Sequence, residues 1–430
     1  MKALLINPWV YDFACYDLFN KPLGLLEIAS LLMDNGAEVR LIDAMDRFHP
    51  ALTEFLGAAA PKYQKAPCGN YYSREVKKPP AFKDLPRKYK RHGMPEELFR
   101  KLLKESGRPD IILVTSGMTY WYEGVFEAVK ILKQTFPGTP VILGGIYAAL
   151  CHGHAVKMSG ADTVFKGKIA CATGNPKPAY ELYPRLEYIT LRTSNGCPYR
   201  CSYCAWHLLD PAFRRKDASA VLSDIEGYQR SFGVKNIAFY DEALLYEPEK
   251  HVIPILEGVL KRGVRADFYT PNGLHARFVT DRVARLLKEC NFISPRLGFE
   301  SSSESRQDET GGKVDNQILE SAIRCLVRAG YESRDIGVNI LIGLPDQRHE
   351  EIERSIRFAN SLGARVHLEE YSPVPGTAYY KSSGLAPDAD PLTHNNSAFP
   401  LYGAKAMGRF QELKDLNQKL NKGLKCSIIS

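Results

Sequence analysis

The 430-residue chain has no long hydrophobic run and no regular cysteine spacing, and its charge excess is confined to one segment. The amino-terminal "MKALLINPWVYDF" reaches Pro8 after a short apolar run, without the h-region and small-residue cleavage site of a secretory signal. The longest apolar stretch, "VILGGIYAALC", is too short and too broken by glycine to span a bilayer. Ten cysteines scattered without a pattern do not make a disulfide framework, so their thiols are expected free in a reducing cytoplasm. What is present, 44% hydrophobic residues over this length, suffices for two ordinary domains.

The net charge of +8 comes from residues 61–92, which hold ten Lys or Arg against Glu75 and Asp84, while the rest is balanced. Nucleic acid is therefore not the expected partner. This proline-marked segment has no sustained period and reads as a long insertion, either a solvated loop or a lid for an anionic or large partner.

Around the insertion, residues 1–170 alternate strand and helix. "KALLINP", "EVRLIDA", "DIILVTSG", "PVILGG" and "ADTVFKG" read as strands, separated by "PLGLLEIASLLMDNG", "YEGVFEAVKILKQTFPG" and "AALCHGHAVKMSG" as helices. The pattern predicts a doubly wound, Rossmann-like parallel sheet, with ligands beyond the strand ends at Asn7, Asp43, Ser116–Thr119 and Gly144–Tyr147. Residues 171–188 read as a linker. A second series follows, with strands near 189–194, 235–240, 265–270, 294–300, 335–342 and 366–371. Six βα units are too few for a closed eight-unit barrel, so 189–380 is expected to be a partial (β/α)6 TIM barrel with 381–430 as an extension.

Directly after the first strand of that series, "RTSNGCPYRCSYCAWH" places Cys197, Cys201 and Cys204 in a C-x3-C-x2-C loop. Three thiolates are one short of the four that close a structural zinc or ferredoxin-type site, and one coordination place stays open. His207 as a fourth ligand would instead close a zinc site in a non-enzymatic binding protein.

The loop resembles the signature of the radical S-adenosylmethionine (SAM) superfamily, C-x3-C-x-aromatic-C after the first barrel strand, with Tyr203 in the aromatic place. "FYDEAL", "YTPNGLHAR", "LGFESSS", "NILIGLPDQ" and "YSPVPGT" follow in the family's order, so the resemblance covers residues 189–380. It implies a 4Fe–4S cluster on Cys197, Cys201 and Cys204, and SAM contacts at Tyr203, Asp241, Glu242, Asn272, Glu300 and Ser301. The doubly wound domain ahead of it resembles the cobalamin-binding subfamily and implies cobalamin over Ser116, Met118, Thr119 and Tyr120, beside Gly144, Gly145 and Tyr147. The D-x-H-x-x-G motif that supplies a histidine to cobalt is absent, so cobalamin is expected without histidine ligation.

The implied activity is C-methylation of an unactivated carbon by a 5′-deoxyadenosyl radical and a cobalamin-borne methyl group. A flavodoxin- or ferredoxin-type electron donor is implied; the sequence does not name the substrate, and the candidates are a lipid or antibiotic intermediate, a peptide or protein, and a phosphorylated small molecule. The alternatives are a ring-forming or rearranging radical enzyme and a tRNA methylthiotransferase-like enzyme with a second cluster on Cys15, Cys68 and Cys151.

Overall fold

The computed structural model describes residues 1–61, 66–167, 176–399 and 404–424. They divide into two compact units, Met1–Ile189 with Ala386–Asn395, and Thr190–Leu385 with Asn396–Ser430.

The first unit is built on five parallel strands, β1 (Lys2–Asn7), β2 (Glu38–Asp43), β3 (Ile111–Val114), β4 (Val141–Leu143) and β5 (Thr163–Val164), in the order β5-β4-β3-β1-β2. Ala3, Leu4, Leu5 and Ile6 are all buried, as expected where both faces of a parallel sheet are covered. On one face Ala3 and Leu5 pack with Leu25 and Ala29 of helix α1 (Leu23–Asp34). The chain changes direction between β1 and β3, the switch point beyond which ligands sit in such sheets.

Three sequence expectations are corrected here. Of the two readings of the basic insertion, the solvated loop gives way over residues 66–92: Ser73–Glu75 and Lys90–His92 join Val10–Asp12 in an antiparallel ribbon, and Gly69–Asn70 pairs with Tyr16–Asp17. Its aromatics are the cause, since Phe82 and Tyr89 are buried against Phe13 at ring-centroid distances of 5.1 and 5.3 Å. Arg91 is buried too, 3.1 Å from Glu127 and 3.5 Å from Glu96, over the Trp9 ring. Residues 62–65 of the insertion lie outside the described residues.

The expected linker packs instead of spanning: Tyr183 donates to Asp43 Oδ2 at 2.6 Å and Tyr188 to Asp17 Oδ1 at 2.8 Å. Residues 168–175 are outside the description. The carboxyl-terminal extension is divided, because 386–395 returns to the first unit, where Asn395 donates to Asp12 at 3.0 Å and Asp390 accepts from Tyr122 at 2.9 Å.

Six strands follow in chain order, β6 (Ile189–Leu191), whose first residue closes the first unit, and within the second unit β7 (Asn236–Phe239), β8 (Asp267–Tyr269), β9 (Arg296–Glu300), β10 (Gly337–Ile342) and β11 (Arg365–Glu370). Backbone hydrogen bonds join them into two parallel sheets, β6-β7-β8 and β9-β10-β11, with Leu274–His275 adding a short strand beside β9. Helices between strands have local causes: Asp217 caps Ala218–Phe232 through the Ser219 and Ala220 amides, and Gly233, at φ 64°, ends it. Along β9 to β11, Leu297, Phe299, Val338, Ile340, Ile342 and Val366 are buried, and Phe299 meets Phe358 of the covering helix His349–Ser361. Period-two alternation therefore turns Arg296, Glu300, Gly337, Asn339, His367 and Glu369 inward. No helix among the described residues is long and apolar enough to cross a membrane.

Candidate functional site

The cysteine loop leaves the carboxyl end of β6. Its turn is held by the Cys204 amide donating to the Cys201 carbonyl at 3.0 Å, and Gly196 lies so close to Ala212 that a Cβ would meet that carbonyl at 2.5 Å. Cys201 is buried, Cys197 and Cys204 are half-buried, and all three are free thiols. Burial raises their pKa values, Cys204 to about 11, with the neighbouring cysteines adding to the rise at Cys197 and Cys204 and Lys313 opposing it at all three. No three His, Cys, Asp or Glu side chains among the described residues converge as ligands of a single ion. Thiols that feel one another without converging suit a cubane, which takes each thiolate on a different iron.

Against this loop stands a buried group of three. Lys313 Nζ donates to Glu300 Oε1 and to Tyr203 Oη, both at 2.7 Å, and Tyr203 donates to the same Glu300 oxygen at 2.9 Å. Burial works against the Lys313 cation, yet Glu300, Tyr203 and Cys201 hold its pKa well above the ordinary lysine value. Glu300 takes φ 71°, a left-handed conformation unusual outside glycine, at a bulge where the β9–β10 register shifts. Such local strain collects at functional sites.

In the first unit the ends of β1 and β2 are filled. Asp43 accepts from Asn7, Met45 and Tyr183, so Asn7 and Asp43 are withdrawn from ligand binding. The ends of β3 and β4 differ. Ser116 ties the two loops together, donating to the Gly144 carbonyl at 2.6 Å and accepting from the Ala148 amide at 3.3 Å. Gly145, at φ 93°, lies against Ser116, whereas a Cβ on Gly144 would meet nothing within 4 Å. Tyr147 Oη bonds His154 Nδ1 at 2.6 Å, and Thr119 Oγ1 bonds His394 Nδ1 at 3.2 Å. Tyr120 is buried and Met118 half-buried. A bare glycine surface framed by aromatics fits a flat ligand such as a corrin.

Comparison with known proteins bears on the second unit first. Residues 191–359 match the Radical SAM superfamily. They form a radical SAM domain. The chain is 25% identical over 215 residues to the uncharacterized methyltransferase PH0819 of Pyrococcus horikoshii, covering 48% of this chain and 46% of that protein. It thus spans about half the length of the curated relatives it matches. The radical S-adenosylmethionine methyltransferase TsrM from Kitasatospora setae, solved with tryptophan and a SAM analogue, is similar at a TM-score of 0.63 and 14% identity, over 88% of this chain and 74% of that one. The cobalamin-dependent S-adenosylmethionine radical enzyme OxsB is similar at 0.54 and 15% identity, over 91% of this chain and 56% of its own. At these identities the likeness is one of fold, a Rossmann-like sheet followed by a radical SAM barrel.

Within the radical SAM domain the expected SAM contacts separate. Tyr203 and Glu300 come together with Lys313, and Glu242 lies near enough to Cys197 to raise its pKa. Asn272 is exposed and donates to the Tyr240 carbonyl at 3.2 Å. Asp241 is engaged elsewhere, accepting from the amides and hydroxyls of Thr193 and Ser194, so it positions the start of the cysteine loop. Ser301 is buried and donates to Glu351 at 3.0 Å, on the helix side of β9. Sequence reading missed Lys313; its one signal was the pair Gly311–Gly312 ahead of it, where Gly311 brings backbone against Cys201, a Cβ there meeting Sγ at 3.3 Å.

Proposed function

We propose that this chain is a cobalamin-dependent radical SAM enzyme, a C-methyltransferase acting on an unactivated carbon. The observation that carries this reading is the cysteine loop at the end of β6 backed by the buried Lys313–Glu300–Tyr203 group. A 4Fe–4S cluster, SAM and cobalamin supply, when bound, reductive carbon–sulfur cleavage and methyl donation.

The chain's own residues do the holding. Cys197, Cys201 and Cys204 take the cluster and release their protons as they do so, since burial keeps the empty thiols protonated. Lys313 offers an ammonium with a third N–H beyond those given to Glu300 and Tyr203, suited to the amino-acid carboxylate of SAM. The Ser116–Tyr120 and Gly144–Tyr147 loops carry cobalamin. No histidine ligand is expected: His49 caps a helix through Ala51, and His154 is bonded to Tyr147. Methyltransferases among the relatives support the methyl-transfer reading.

The test is anaerobic reconstitution followed by iron, sulfide and corrinoid analysis. About four irons and one corrinoid per chain are expected, the latter with a base-off spectrum that replacing His49 or His154 does not alter. Reduced protein should form 5′-deoxyadenosine, and Cys204→Ala should not. A colourless protein without acid-labile sulfide points to the zinc alternative. About eight irons point to the methylthiotransferase alternative. A folded, cluster-loaded protein that retains no corrinoid removes the cobalamin part.

A further inference from the structure

The inner face of β9 to β11 carries groups that the cysteine loop and its lysine do not use. Arg296 and His367 flank Gly337, where a Cβ would lie 2.9 Å from Arg296 Cγ and 3.1 Å from His367 Nε2. Asn339 is paired in register with His367, and Leu341 with Glu369. Glu369 is exposed, yet surrounding protein desolvates its carboxyl enough to raise its pKa, with Arg296 opposing the rise and Glu300 adding to it. Its carboxyl is thus reachable from solvent and partly enclosed by protein. Its neighbour Glu370, by contrast, points outward and is paired with Lys414.

Among the described residues no hydrogen bond or ion pair engages the Glu369 carboxylate, the His367 ring or the Arg296 guanidinium, and Asn339 Oδ1 is buried without a partner. Arg296 and Glu369 influence each other electrostatically without forming an ion pair. A barrel interior is ordinarily filled by branched apolar side chains. Among the described residues the inner faces of these parallel strands carry a cation, Arg296, and an anion, Glu369, that do not pair, beside the unmet Asn339 Oδ1. Asn339 Oδ1 is buried and unmet, and Glu369 and Arg296 keep only part of their hydration, so the arrangement favours a ligand that meets all three.

We infer that Glu369 and Arg296 recognise the substrate, and that the substrate, or the part of it that enters the barrel, is an amino-acid-like zwitterion whose amine meets Glu369 and whose carboxylate meets Arg296. This rests on the enzyme reading above and narrows its substrate class. A neutral lipid offers neither charge, and a phosphorylated molecule without an amine leaves Glu369 facing an anion.

The test uses reconstituted holoprotein with SAM present to fill its own subsite, and ligand-observed NMR with four probes: L-norleucine, pentylamine, hexanoate and farnesol. Norleucine is expected to bind at least about tenfold more tightly than pentylamine or hexanoate, as a charge-assisted hydrogen bond at each end requires. Glu369→Gln should remove the norleucine preference and the pentylamine signal while sparing hexanoate, and Arg296→Met should do the reverse. The thermal midpoint of each variant shows that it is folded. Equal binding of the three charged or zwitterionic probes, or a profile that neither variant changes, overturns the inference. Farnesol binding unaffected by either variant does so in favour of a lipid. Formation of 5′-deoxyadenosine by the wild type without any probe reports on the enzyme reading separately, so failure of one is distinguishable from failure of the other.

Discussion

Lys313 is a cation held away from water, and the largest influence keeping its proton is Glu300, through the oxygen it shares with Tyr203. Removing one partner of a buried pair leaves the other charged and unpaired, which costs about 3–5 kcal/mol, whereas removing both costs much less. Lys313→Met is therefore expected to lower stability strongly in denaturant titrations of the cluster-free protein, and Lys313→Met with Glu300→Gln to recover most of the loss. SAM affinity should not return with stability, because the ammonium is still missing. Recovery of both together would make the lysine a structural residue only. The two halves of this site were unequally legible. The cysteines lie within eight residues, so their spacing alone marks them as a ligand set with one place open. Lys313 lies 110 residues from Tyr203, and only the return of the chain after β9 brings it back.

At the scale of elements, the loops after β3 and β4 show how two adjacent glycines divide the work. Gly145 needs a positive φ and leaves no room, since a Cβ would sit 2.4 Å from the Ser116 carbonyl oxygen and 2.5 Å from its amide nitrogen. Gly144 is unconstrained and faces open space. Gly145→Ala should destabilise the first unit by more than the about 1–3 kcal/mol of backbone strain alone, because the contact is with backbone that has nowhere to move. Gly144→Ala should change stability by less than about 0.5 kcal/mol, yet weaken corrinoid retention on gel filtration. If Gly144→Ala kept its corrinoid as tightly as the wild type, the corrin would lie elsewhere. The basic insertion misled sequence reading at this same scale. Its strands are two or three residues long and find their partners in Val10–Asp12 and Tyr16–Asp17, so no local period reveals them.

Across the whole molecule, buried neutral histidines set a response to acid. Burial lowers His92, His251 and His394 from 6.5 to about 4. Such groups are more readily protonated in the unfolded chain, so the stability they contribute is complete above pH 6.5 and is lost as pH falls toward 4. Buried carboxylates such as Asp43, raised by burial, change in the opposite sense. The histidine part is isolated at His251, whose Nε2 lies 2.8 Å from the Thr193 hydroxyl, which in turn donates to Asp241. His251→Gln should flatten the dependence of the thermal midpoint on pH in this window, where one such group contributes up to about 1.4 kcal/mol per pH unit. Parallel curves for wild type and variant would place the acid response elsewhere.

Sequence by itself determined the parallel strands of both units and the cysteine loop, because each is written in local terms: apolar alternation between strand and helix, and ligand spacing inside one turn. Tertiary structure decided the rest. It closed the ends of β1 and β2 with Tyr183, took Asp241 and Ser301 away from the expected SAM contacts, carried 386–395 back to the first unit and put Lys313 beside Cys201. It also left Glu369 and Arg296 facing a shared interior without partners. Those outcomes depend on which strands become neighbours and which way each side chain turns, and neither is encoded within reach of a short window of sequence.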